Sequence, residues 1–239
     1  MRLTNPIYQQ KRQAKLQARR DGIPLYKALN NVAKTQGFGN WSLLARQNAC
    51  CEPAVTMLNH LDATDLVLLG ARPGHGKTKM CLKLVVEAIK SGNHAAFYSL
   101  EYTDEEVREQ ISALDANIAV RDSALVLDTS DDICADYIID QLQHAPENTI
   151  VVIDYLQVLD QNRRRPVVAA QISALKSFAK ANGLIVILIS QIDRSYDPAI
   201  KPLPDTSDVR LPNALDMSLF TKTIFMNSGA AKLETVDSR

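Results

Sequence analysis

Metal-ligating cysteine spacings, long apolar runs and internal repeats are all missing from this sequence of 239 residues. Of its four cysteines, Cys50 and Cys51 are adjacent while Cys81 and Cys134 stand alone. No CxxC or Cys/His ligand spacing occurs, which argues against a disulfide framework or a zinc site. No run of about 18 apolar residues is present, so no membrane span is expected. Met1 to Gln10 is too polar for a secretory h-region, and the expectation is a cytoplasmic protein without a membrane partner. With 46% hydrophobic and 23% charged residues, the composition is that of a globular protein long enough for one fully cored domain and a small appendage.

Net charge is also absent, but its two signs are unevenly placed. Residues 1–50 hold nine Lys or Arg (Arg2, Lys11, Arg12, Lys15, Arg19, Arg20, Lys27, Lys34, Arg46) against Asp21 alone, leaving 18 basic and 26 acidic residues in the rest. Such asymmetry marks either a basic arm for nucleic acid or an acidic protein partner, or else a solvated helix face. Residues 7–20 have helix-forming composition, and Leu25, Ala28, Leu29 and Val32 suggest a second short helix ended by Gly37. Phe38 and Trp41, the only tryptophan, are expected to pack into a small helical core. Residues 1–53 are therefore expected to form a basic helical segment, and residues 54–239 a separate domain.

From residue 54 onward, short apolar runs alternate with amphipathic segments. Leu66–Leu69, Ala95–Tyr98, Ala124–Leu127, Ile150–Ile153 and Leu184–Ile189 have the continuous hydrophobicity of strands buried on both faces. Helices are expected over 77–90, after a capping box at Thr103 to Glu106, over Asp131–Gln143 and over Val167–Ala181. This alternation predicts an α/β fold with a mostly parallel sheet flanked by helices. Asp193–Pro212, with four prolines and few apolar residues, is expected to be a mobile loop.

Two motifs carry chemistry. Ala71-Arg72-Pro73-Gly74-His75-Gly76-Lys77-Thr78 lies between an apolar strand and a helix and has the form of a phosphate loop, with Ala71 where the usual pattern has glycine. Arg72, Pro73, Gly74, His75, Gly76, Lys77, Thr78 and Lys79 are the candidate ATP-binding residues. The loop N–H groups and helix N-terminus would cradle phosphates, Lys77 would reach the β and γ oxygens, and the Thr78 hydroxyl would coordinate Mg2+. The second motif is Thr149-Ile-Val-Val-Ile-Asp154, an apolar strand ending in an acid, which would set Asp154 beside the same Mg2+.

The segments GARPGHGKT (70–78), FYSLE (97–101), VVIDYLQVL (151–159), LISQIDR (188–194) and SDVR (207–210) occur in the order of the signature segments of DnaB-type replicative helicase motor domains. Over residues 55–226 the chain resembles that family, which implies a RecA-like P-loop ATPase fold. The resemblance implies that Glu101 polarises the attacking water and that Gln191 senses the γ-phosphate. It also implies a homo-oligomeric ring, a hexamer among the possibilities, acting on single-stranded DNA. Arg163, Arg164 and Arg165 after the second motif, with Arg194 and Arg210, are the candidate DNA contacts; salt-sensitive phosphate neutralisation is the chemistry they offer. The family's N-terminal domain and its C-terminal basic finger have no counterpart in this sequence. Two functions are therefore expected: a DNA-stimulated ATPase, or a nucleotide-controlled interaction module with little turnover and a protein partner at the basic N-terminal segment.

Overall fold

The computed structural model describes residues 7–44, 53–154, 156, 159, 166–210 and 215–236. The chain divides into two compact units, Met1–Thr56 and Met57–Arg239. The smaller is a helical hairpin of α1 (Ile7–Asp21) and α2 (Leu25–Thr35), joined through Gly22, Ile23 and Pro24. Ala14, Ala28 and Val32 form its core, with Ile23, Leu29 and Trp41 packed around them. The Trp41 N–H donates to Asn30 Oδ1 at 2.9 Å, tying the segment after α2 back onto that helix. A short helix α3 (Pro53–Leu58) leads into the larger unit.

The larger unit is a seven-stranded sheet in the order β3-β2-β4-β5-β1-β6-β7. Its strands are β1 (Leu66–Ala71), β2 (Ala95–Ser99), β3 (Leu125–Asp128), β4 (Ile150–Asp154), β5 (Ile185–Gln191), β6 (Lys222–Asn227) and β7 (Ala230–Thr235). All neighbouring pairs are parallel except β6 with β7. Intervening helices are α4 (Lys77–Lys90), α5 (Asp104–Leu114), α6 (Ala135–Gln141) and α7 (Val168–Asn182). Leu66, Leu68, Val151, Ile153, Val186 and Leu188 on one face of the sheet meet Ile138 of α6 and Ile172, Leu175 and Ala179 of α7. Helix α4 packs on β1, β2 and β4. Burial of β1, β2 and β4 along their whole length accounts for their unbroken apolar sequence. Among the described residues, no helix is long and apolar enough to cross a membrane.

The expected strands and most helices form within a residue or two of their sequence bounds, and four features differ. Residues Ala116–Ala124 form a 3-10 segment, so β3 begins at Leu125. The helix expected over Asp131–Gln143 spans only Ala135–Gln141, because Asp128 Oδ1 accepts from the Ser130 N–H and Ser130 Oγ from the Asp132 N–H, holding the chain in turns. Strands β6 and β7 lie outside the expected set; they join through Ser228 (φ 49°) and Gly229 (φ 85°), the two left-handed positions of a type I′ hairpin. Lastly, the segment after β5 is closed on itself. The buried Tyr196 packs with Ile192, Phe225 and Val209, its hydroxyl donates to Lys201 O at 2.7 Å, and Asn227 Nδ2 donates to Pro202 O at 2.9 Å.

A buried lysine fastens β6 to the start of β1. Lys222 Nζ lies 2.6 Å from both Asp62 Oδ2 and Asp65 Oδ2 and donates to His60 O, while Thr221 Oγ1 donates to Asp65 Oδ1 at 2.7 Å. Higher on the same strands, Gly70 is required by space. A Cβ there would stand 2.8 and 2.9 Å from Phe225 ring carbons and 3.0 Å from Ile192 Cδ1. Gly70→Ala should therefore destabilise the fold by about 1–3 kcal/mol in thermal or urea denaturation. Phe225→Leu placed in the Gly70→Ala background should recover part of that loss; strictly additive losses would show that the Phe225 contact is not the cause.

Candidate active site

Because β1, β2, β4 and β5 are parallel, their C-terminal ends lie along one edge of the sheet, with Ala71 opposite Gln191 and Ser99 opposite Asp154. Crevices at that edge are where open α/β sheets bind ligands. The loop after β1 enters α4 through Gly74 (φ 78°) and Gly76 (φ 82°), left-handed positions that suit glycine. Gly76 is the N-cap of α4 and provides no side-chain cap, so the first-turn N–H groups are available to an anion.

Beneath this loop four side chains converge. Thr78 Oγ1 donates to Asp154 Oδ2 at 2.8 Å, joining residues 76 apart in sequence. Lys77 Nζ lies 3.8 Å from Asp154 Oδ1 and 3.6 Å from Glu101 Oε2. Asp154 is fully buried, and its Oδ1 accepts no hydrogen bond. Burial raises the Asp154 carboxyl to about 6, against the opposing pull of Lys77 and the Thr78 hydroxyl, and Glu101 adds to the rise. Glu101 follows β2 at the exposed mouth, its N–H donating to Ser99 Oγ at 3.1 Å.

A cavity of about 290 Å3 opens over these groups, lined among others by Lys77, Thr78, Glu101 and Gln191. Of the sequence candidates, Pro73, Gly74, Gly76 and Lys79 also line it. Arg72 is half-buried, and His75 Nδ1 accepts a hydrogen bond from the Ser228 N–H at 3.3 Å. Gln191 ends β5, and its carbonyl accepts from the Arg210 N–H at 2.8 Å. Arg194 and Arg210 are exposed and do not line the cavity. Arg163, Arg164 and Arg165 lie outside the described residues.

Tyr102 and Gln110 also line the cavity and were missed by sequence reasoning. Tyr102 is marked in the sequence only by adjacency to Glu101. Gln110 sits mid-helix on α5, where a polar residue carries no local signal.

The donor set suits a hard cation. A buried carboxylate oxygen without a hydrogen-bond donor and a hydroxyl beside it are oxygen ligands of the kind Mg2+ takes, alongside substrate phosphates. The concave backbone, the cation Lys77 and these oxygens can together receive a phosphate chain with its metal.

A family model described as ATPase: KaiC matches residues 59–203. The replicative DNA helicase DnaB of Geobacillus stearothermophilus is 23% identical over 194 residues, covering 67% of this chain and 42% of the helicase. The chain spans about two fifths of the length of the curated relatives it matches. A solved structure of a DnaB-like replicative helicase, described together with its interactions with primase, aligns with a TM-score of 0.57 at 19% identity over 91% of this chain and 66% of its own. One of a KaiC-like protein from the archaeon Pyrococcus horikoshii aligns with a TM-score of 0.51 at 16% identity over 68% of this chain and 70% of its own. These likenesses establish the RecA-like P-loop ATPase fold.

The raised Asp154 carboxyl gives a testable sign. A group whose folded value exceeds its unfolded one contributes stability that is complete below about pH 4 and is lost as pH rises through about 6. For nucleotide-free protein in EDTA, Asp154→Asn should match the parent near pH 4 and exceed it by roughly 3 kcal/mol near pH 8. Urea denaturation across that range measures it; a variant less stable than the parent at pH 8 would refute the assignment.

Proposed function

This chain belongs to the KaiC ATPase family, and from that premise we propose that it binds ATP with Mg2+ and hydrolyses it as a DnaB-helicase-like protein acting on single-stranded DNA. The observation that carries the reading is the buried Thr78 to Asp154 hydrogen bond beneath a glycine-containing loop, with Lys77 between Asp154 and Glu101.

In this reading the loop from Arg72 through Pro73, Gly74, His75 and Gly76 wraps the triphosphate, and Lys79 meets it from the exposed side of α4. Lys77 turns from the two carboxylates to the β and γ oxygens. Thr78 and Asp154 hold Mg2+, which neutralises charge on the phosphates when bound. Glu101, at the exposed mouth, accepts a hydrogen bond from the attacking water and aligns it; positioning and charge stabilisation are most of what phosphoryl transfer asks of a protein. Gln191 donates its amide to the γ-phosphate. Its carbonyl contact with the Arg210 N–H links that event to the segment after β5. Arg194 and Arg210, with Arg163, Arg164 and Arg165, neutralise DNA phosphates.

We place the domain boundary at residue 53/54 and expect a cytoplasmic homo-oligomer, a hexameric ring being the form the helicase resemblance favours.

Steady-state ATP hydrolysis with and without single-stranded DNA, over a range of protein concentrations, tests the reading. Stimulation by DNA and a rate rising steeply with concentration are expected. Tight ATP binding with negligible turnover under every condition would instead identify a nucleotide-controlled interaction module. Lys77→Ala should abolish ATP binding, and unaltered affinity would remove the phosphate-loop role. Glu101→Gln should retain binding while slowing turnover by about 100-fold or more, as loss of a positioned base does; hydrolysis at the parent rate would take Glu101 out of the mechanism.

A further inference from the structure

We propose that α1 carries a nucleic-acid backbone-binding surface made by Lys11, Arg12, Lys15 and Arg19, independent of the contacts assigned to the ATPase unit. Lys11, Lys15 and Arg19 recur at every fourth position and so form one row on the helix, running about 12 Å along its axis. Arg12 stands one residue on from the start of that row, widening it to an arc of about 100°. All four are exposed, whereas Gln10 and Ala14 on the opposite side of α1 are buried.

Among the described residues of the hairpin, acids do not balance these charges. Residues 7–44 contain seven Lys or Arg and a single acid, Asp21, which is taken by Arg20 at 2.7 Å. Cations one helical turn apart repel and weaken a helix. Arg19 gains from the helix C-terminus, but Lys11 and Lys15 do not. Several cations of the ATPase unit are ion-paired. Lys90 pairs with Glu87 and Asp115, Arg108 with Asp104, Lys201 with Asp205 and Asp208, Lys222 with Asp62 and Asp65, and Lys232 with Glu234. The row on α1 is thus a concentration of positive charge that the hairpin's own packing does not use.

Its chemistry favours a phosphate backbone over a protein. Protein interfaces have an apolar or aromatic centre and are depleted of lysine, whereas phosphate contacts are made by Lys and Arg without an apolar anchor. Between Lys11 and Arg19 no apolar residue lies within the arc of the row. The exposed Leu16 falls outside it, toward Gln13 and Arg20. Lys27 and Lys34, both exposed on α2, add to the same sign of field.

The experiment uses the full chain without nucleotide. Fluorescein-labelled oligonucleotides of about 20 residues, single-stranded and duplex, are titrated at several salt concentrations. The comparison is between the parent and a variant carrying Lys11→Gln, Arg12→Gln, Lys15→Gln and Arg19→Gln, substitutions that keep helix-forming side chains. Circular dichroism and ATP affinity, both expected to be unchanged, establish that the variant is folded. The expected result is a loss of affinity of about 10-fold or more at low salt. The slope of log affinity against log salt should become shallower by about 3 units, as removal of four phosphate contacts requires. Loss on both oligonucleotides assigns the surface to the backbone in general, and loss on the single strand alone assigns it to that form.

A variant that binds with the parent's affinity and salt slope overturns the proposal and leaves the arginines of the ATPase unit as the contact. A parent that binds neither oligonucleotide overturns it as well. Failure here is separable from failure of the ATPase reading, since Lys77→Ala removes ATP binding and leaves this surface intact.

Discussion

Parallel pairing of β1, β2, β4 and β5 is the constraint on which the larger unit depends. Each of these strands must be followed by a crossover connection, and each therefore ends at the same edge of the sheet. Residues far apart in sequence are brought together because each ends a strand or follows one closely. Lys77, Glu101 and Gln191 line one cavity, and Asp154 lies buried against Lys77 and Thr78. The register leaves little freedom, since Ser99 lies opposite Asp154 and Ala71 opposite Gln191. Gly70 shows how tightly this edge is set, with Phe225 and Ile192 occupying the space a side chain would need.

That edge also carries the fold's main internal conflict. A strand buried on both faces should end in an apolar residue, yet β4 ends in Asp154 with one oxygen lacking a hydrogen bond. Thr78 and Lys77 offset part of the cost, but burial still favours the neutral carboxyl. Sequences depart from such local rules where function requires it. Lys77 shows the same tension, for it is almost fully buried and lies between two carboxylates. A phosphate chain with its metal would relieve both residues together.

What was legible in the sequence follows from where each signal resides. The phosphate loop and the strand ending in Asp154 are contiguous, so residue types and spacing suffice to read them. Strands β1, β2, β4 and β5 declare themselves by unbroken apolar runs. Strand β6 does not, because it opens with Lys222, whose burial is made tolerable by Asp62 and Asp65 far away in sequence. Strand β7 is an edge strand with a half-exposed face and has no clear period. The prolines after β5 suggest mobility, but closure of that segment rests on Tyr196, Phe225 and Asn227, contacts made across the fold. Gln110 reaches the cavity only through the packing of α5, and no pattern within its own helix could have marked it.

The two units differ in their balance of charge. A formal net charge of zero conceals 18 basic against 26 acidic residues over 51–239, so that part of the chain repels polyanions at long range. Ion pairing within the larger unit leaves such cations as Lys201 and Lys222 little reach beyond their partners, and fields of exposed charge fade over about 10 Å at ordinary salt. An ATPase that acts on nucleic acid therefore needs positive charge that its own acids do not cancel. The hairpin of α1 and α2 offers such charge, with seven cations against one acid already paired, in addition to the arginines of the larger unit proposed as contacts. On the readings proposed above, first attraction of nucleic acid would fall to the hairpin and hydrolysis of the nucleotide to the larger unit. At the cavity itself, Lys77 is the cation that faces both Asp154 and Glu101.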